Sequence, residues 1–184
     1  NTAPDLSACD PAALDATHEC DGAAGNELAA DAWNAANITA LEGCALDACA
    51  GITVTSDYDF ANLSDLCGET GEITVVYTVT DECGLATTIE GTFTIEDNTD
   101  PDLTACDPAD LNSTLECVGI MDNELAADAW NAANIATLEG CATDLCGAII
   151  VTSNYDFANF ILGCGETGTI TVTYTITDEC GNDI

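Results

Sequence analysis

Each of the twelve cysteines has a counterpart 97 residues away, and so does nearly everything between them. Cys9, Cys20, Cys44, Cys49, Cys67 and Cys83 recur as Cys106, Cys117, Cys141, Cys146, Cys164 and Cys180, and Trp33 recurs as Trp130, with no insertion or deletion. A fold must therefore be built inside 97 residues and built twice. Repeat 1 spans residues 1–97 and repeat 2 spans residues 98–184, ten residues short of a full period. Repeat 1 shows what that stretch would carry. Residues 85–97 read LATTIEGTFTIED and set Ile89, Phe93 and Ile95 on one side of a strand. The expectation is a window on a longer array.

The clearest element is EITVVYTVTDECG at residues 72–84, which returns as TITVTYTITDECG at residues 169–181. Ile73, Val75, Tyr77 and Val79 alternate with mostly threonine, the pattern of a strand with one buried face. Residues 51–60 read as a strand with Ile52 and Val54 inward. Residues 14–20 read as an extended piece whose cysteine shares parity with the leucines of repeat 2, Leu111 and Leu115. One short helix is expected over residues 26–38, NELAADAWNAANI. Asn26 is its N-cap, and its apolar stripe runs through Leu28, Ala29, Ala32, Trp33, Ala35 and Ala36. A tryptophan at helical spacing among alanines belongs to a core rather than to a sugar-stacking surface. About five strands with one helix in a connection predict an all-β fold, tandem immunoglobulin-like β-sandwiches.

With 34 acidic residues, no lysine or arginine and one histidine, the chain cannot neutralise phosphates, which argues against nucleic acid and anionic membranes as partners. The 47% hydrophobic content says that the acid coats a folded core. No run of about 20 apolar residues spans a membrane.

Six cysteines per repeat read as disulfides, hence an oxidising, extracellular setting. A metal cluster is the weaker reading, because no CxxC pair occurs and the sole histidine, His18, becomes Leu115. Six cysteines allow fifteen pairings. Strand parity suggests Cys20–Cys83 as a cross-sheet bridge, and therefore Cys117–Cys180. Cys49–Cys67 and Cys146–Cys164 would span the ends of a strand, leaving Cys9–Cys44 and Cys106–Cys141 by elimination.

Four carboxylates crowd residues 96–102 at the joint between repeats, with no base to pair them. Calcium would relieve that repulsion, with Asp97, Asn98 and Asp100 as ligands, helped by Asp81 or Glu82. The competing reading is that Pro101 stiffens an extended link and the acids are solvated, since Asp100 is Ala3 in the other repeat. Catalysis finds little support. No histidine recurs, and Ser56 and Ser153 lack a base. The sequons at Asn37, Asn62 and Asn112 do not recur and read as chance.

The ordered series ADAWNAAN, ITVTSDYDF, LCGETG or GCGETG, VTYTITDECGN and TFTIEDNTDPD resembles the tandem extracellular, hyalin-like and immunoglobulin-like repeats of very large Bacteroidetes surface proteins. That class includes gliding-motility adhesins exported by the type IX route. The chain departs from it in having no basic residue and six, not four, cysteines per unit. The resemblance implies a cell-surface filament that contacts neighbouring repeats of its own chain and, through them, surface polysaccharide or cell-envelope proteins. Two roles follow: a structural, non-enzymatic segment of a disulfide-stapled filament or adhesin, or a glycan- or protein-binding module that would display Tyr58 and Tyr155 from its loops.

Overall fold

The computed structural model describes residues 2–48 and 51–184, in two compact units, Asn1–Asp97 and Asn98–Ile184. In unit 1 a 3-10 turn, Pro11–Leu14, leads into strand β1 (Ala16–Glu19), helix α1 (Ala23–Cys44), and strands β2 (Ile52–Ser56), β3 (Gly71–Asp81) and β4 (Ala86–Glu96). The sheet order is β1-β4-β3-β2. β3 pairs antiparallel with both β2 and β4, whereas β1 lies parallel to β4. The hairpin β3–β4 thus sits between two edge strands, and α1 connects one edge to the other.

β3 forms as its alternation requires. Ile73, Val75, Tyr77 and Val79 are all within 2% of complete burial, and Phe93 and Ile95 of β4 join them. Each such side chain contributes about 1.5–3 kcal/mol. The opposite face of β3 carries Glu72 and Thr74, both exposed, and no second sheet covers it among the described residues.

The all-β sandwich expectation is therefore corrected. The layer that buries the sheet is a 22-residue helix, not a second sheet. Two features of the sequence hide it. The helix continues through residues 39–44, because Leu41 falls on the buried stripe and glycine occurs only near the ends, at Gly25 and Gly43. The buried stripe is Asn26, Ala30, Trp33, Asn37 and Leu41, two of them polar, while Leu28 is 70% exposed. Asn26 is thus an interior residue, and Gly22, at φ +89°, takes the cap position.

The two asparagines are buried because each is hydrogen-bonded. Trp33 Nε1 donates to the Leu14 carbonyl at 2.8 Å, and Asn37 Nδ2 donates to the same oxygen at 2.9 Å and to Tyr77 Oη at 3.1 Å. The rings close around this point, with Trp33 edge-on to Tyr77 at 6.3 Å between centroids and 5.2 Å from Phe93. Tyr77 has its pKa raised by burial, against the opposing pull of the Asn37 hydrogen bond.

Unit 2 repeats the seam. Helix α2 (Ile120–Cys141) places Trp130 Nε1 and Asn134 Nδ2 both 2.9 Å from the Leu111 carbonyl, and Asn134 reaches Tyr174 Oη at 3.0 Å. Its strands are fewer and shorter: β5 (Ile149–Ser153) pairs with β8 (Tyr174–Asp178), and β6 (Ile161–Leu162) with β7 (Gly168–Thr169). Residues 113–116, the counterpart of β1, form no strand. In unit 1 the hydrogen-bonded neighbour of β1 is β4.

Replacing Asn37 by alanine leaves Tyr77 Oη without this donor and opens a gap in the seam. Asn37→Ala should destabilise unit 1 by about 1–3 kcal/mol in urea denaturation. A change below about 0.5 kcal/mol would show the bond to be incidental.

Candidate functional site

In a unit with so small a core, the groups that bear on function are those that tie the helix and the chain ends to the sheet. Cys44, the last residue of α1, is bonded to Cys9, and Cys141 to Cys106, each pair with Cα atoms 5.2 Å apart. The N-terminal segment then lies along the exit from the helix, where Asp5 and Leu46 exchange two backbone hydrogen bonds of 2.8 and 3.0 Å.

Cys20 and Cys67 are disulfide-bonded as well, and so are Cys146 and Cys180. Asn26 organises the first of these regions. Its Nδ2 donates to Cys20 Sγ at 3.2 Å and to the Glu69 carbonyl at 3.1 Å, while Oδ1 accepts the Asp21 N–H. In unit 2 Asn123 makes the same set, to Cys117 Sγ at 3.6 Å, the Glu166 carbonyl at 3.1 Å and the Val118 N–H. There, however, Cys117 and Cys164 are exposed free thiols, as is Cys83 in unit 1.

These states correct three expected bridges. Cys20–Cys83 and Cys117–Cys180 are each excluded by one bonded and one free partner, and so is Cys146–Cys164. Strand parity misleads because β3 ends at Asp81. The Asp81 carboxylate accepts the N–H groups of Cys83 and Leu85, both at 2.8 Å, and Gly84 turns the chain at φ +86°. Cys83 therefore belongs to an exposed turn. The remaining expectation, Cys49–Cys67, involves Cys49, which lies outside the described residues.

The residues expected to hold calcium fall in different settings. Asp81 is buried and its Oδ1 serves the turn, as Asp178 Oδ1 does for the N–H groups of Cys180, Gly181 and Asn182. Glu82 is exposed beside it. Asp97 closes unit 1, half-buried, while Asn98 and Asp100 open unit 2, both exposed.

Tyr58 and Tyr155 are not displayed as bare aromatic platforms. Tyr58 Oη donates to Asp31 Oδ1 at 2.8 Å and Tyr155 Oη to Asp128 Oδ1 at 2.6 Å, fastening the segment after β2 or β5 to the helix. Burial, then the hydrogen bond to the carboxylate and its charge, hold both phenols well above the ordinary tyrosine range. Sequence reasoning missed Asp31 and Asn37, and read Asn26 only as an N-cap. Their signal was recurrence, as Asp128, Asn123 and Asn134 at the repeat spacing. The Asn37 sequon is closed by the same packing, because both its donor contacts lie in the buried seam.

Two outcomes follow. Alkylation of the unreduced, unfolded protein should label Cys83, Cys117 and Cys164 and leave Cys9, Cys20, Cys44, Cys67, Cys106, Cys141, Cys146 and Cys180 unlabelled; mass mapping that finds label on the second group refutes the bridges. In alkaline titration Tyr58 and Tyr155 should ionise later than free tyrosine, near pH 10. Because the folded pKa is the higher one, their contribution to stability is complete below about pH 10 and is lost as pH rises through the folded value. Asp31→Asn should bring Tyr58 back toward the ordinary range, and an unchanged absorbance titration would refute the pairing.

The eight bonded cysteines are those of a protein from an oxidising, secreted or extracellular setting. No helix among the described residues is long and apolar enough to cross a membrane. No protein-family model matches the chain, and no curated protein matches it either.

Proposed function

We propose that the chain is a structural segment of a long extracellular filament or cell-surface adhesin of the gliding or attachment type, in which each unit is a stapled, non-enzymatic spacer. The observation that carries this reading is the double tie of each helix. Its middle is hydrogen-bonded to a carbonyl of the entering segment, and its end is covalently bonded to that same segment, in both units alike. Such a tie holds the segment and helix together under tension along the chain. The tyrosines support the same reading, since their hydroxyls are engaged within the unit rather than offered to a ligand. In a filament the partners would be neighbouring units, with polysaccharide or envelope proteins met elsewhere along it.

Single-molecule extension tests the proposal. A bridge with a sequence separation of 35 hides that much chain from the pulling force. At about 3.3–3.6 Å per residue, reduction should lengthen each unfolded unit by roughly 120 Å on account of the Cys9 or Cys106 bridge. Units that yield at forces as low in the oxidised as in the reduced state would count against a load-bearing role. Reproducible glycan binding abolished by Tyr58→Ala would replace it with a binding module.

A further inference from the structure

The cysteine that precedes each helix is held by the same asparagine frame in both units. In unit 1 Asn26 Nδ2 lies 3.2 Å from Cys20 Sγ and 3.1 Å from the carbonyl of Glu69, two residues past Cys67, and both cysteines are disulfide-bonded. In unit 2 Asn123 Nδ2 lies 3.6 Å from Cys117 Sγ and 3.1 Å from the carbonyl of Glu166, two residues past Cys164. Cys117 Sγ itself donates to the carbonyl of Gly165, the chain neighbour of Cys164, at 3.6 Å.

The turn that presents the second cysteine is shared as well. Thr70 Oγ1 donates to the Cys67 carbonyl at 2.6 Å, and Thr167 Oγ1 to the Cys164 carbonyl at 2.7 Å. The glycines that follow the two cysteines, Gly68 and Gly165, are left-handed at φ +56° and +63°. Cys117 and Cys164 are thus exposed thiols on either side of one asparagine, at positions whose counterparts in unit 1 are both bonded.

We propose that Cys117 and Cys164 are a redox clasp, a dithiol that a small disulfide closes and a small thiol reopens, pinning the entry of α2 to the turn before β7. In closing, the thiolate of one cysteine attacks a sulfur of the small disulfide, forming a mixed disulfide and releasing one thiol. The other cysteine then attacks the protein-side sulfur and releases the second thiol. Two electrons and both thiol protons pass from the cysteine pair to the small disulfide, which leaves as two thiols. The Cys106–Cys141 bridge already holds the exit of α2, so a closed clasp makes both ends of the helix covalent. The clasp does not rest on the spacer reading, and either can fail alone.

Glu116 and Glu166, both exposed, lie beside the two cysteines on a chain of net charge -34, so a cationic reagent suits the site. The test therefore adds cystamine to the folded 184-residue chain, followed by acid quenching, unfolding, alkylation and mass mapping. Without cystamine both thiols remain open to alkylation. With it, Cys117 and Cys164 should lose label together and appear as one linked peptide pair, two hydrogen atoms lighter, with no cysteamine retained. The second step should run about tenfold or more faster in the folded chain than in urea, because the fold raises the effective concentration of one thiol at the other. In a Cys164→Ser chain, a change at an exposed position, Cys117 should stop at the mixed disulfide with cysteamine. Added cysteamine should then reopen Cys117 and Cys164 before it opens the half-buried Cys106 and Cys141. Cysteamine retained on both Cys117 and Cys164 of the unaltered chain, closure no faster folded than in urea, or reopening of Cys106–Cys141 first overturns the proposal.

Discussion

One carbonyl oxygen, that of Leu14, fixes how the layers of a unit meet. A backbone oxygen has two lone pairs, and here both are taken by side chains one helical turn apart, Trp33 and Asn37. The second N–H of Asn37 reaches Tyr77 at the centre of the sheet, so entering turn, helix and strand share one satisfied polar cluster. An apolar interface tolerates sliding by a turn or a rotation of the helix; a buried network of this kind does not, because each misplacement strands a polar group. Unit 2 has the same cluster at 2.9–3.0 Å.

What could be read from the sequence was periodicity in the strands. β3 and β4 lie where alternation placed them, and their inward residues are the buried ones. Alternation says that one face is covered, not by what. The helix that covers it was visible only in part, since its buried stripe passes through Asn26 and Asn37, which hydropathy scores as surface, while Leu28 points to solvent. Cys9–Cys44 and Cys106–Cys141 are bonded as expected, whereas the Cys20–Cys83 and Cys117–Cys180 pairings failed for a related reason. Parity holds only inside a strand, and an aspartate-closed turn intervenes before Cys83. Recurrence across the repeat was the better guide, because it marked Asn37 and Asn134 without regard to polarity.

In unit 1 the edge strand β1 has one hydrogen-bonded neighbour, β4. Four residues of parallel edge strand have too few local contacts to hold themselves. Cys20 sits at the end of that pairing. Its N–H donates to the carbonyl of Glu96 at 2.7 Å, which pins the cysteine at the end of β4, and in unit 2 the corresponding Cys117 is an exposed thiol.

The acidic composition looks different once the aspartates are traced to their partners. Among the described residues the one contact between a carboxylate and a basic side chain is Asp21 with His18, at 3.3 Å, and the chain has no lysine or arginine, so the carboxylates cannot be balanced by bases. Many instead accept backbone N–H groups: Asp10, Asp59, Asp107 and Asp156 cap short 3-10 turns, and Asp15 reaches across to the N–H of Thr92. The repeat provides its own control for whether charge matters there. Asp57 Oδ1 accepts the N–H of Val76 at 2.8 Å, and at the matching place Asn154 Oδ1 accepts the N–H of Thr173 at the same distance. An amide oxygen serves as well as a carboxylate in holding that turn. The fold at that turn asks for a short side chain with an acceptor, a requirement that aspartate and asparagine share. The negative charge at that turn is therefore not what the fold requires.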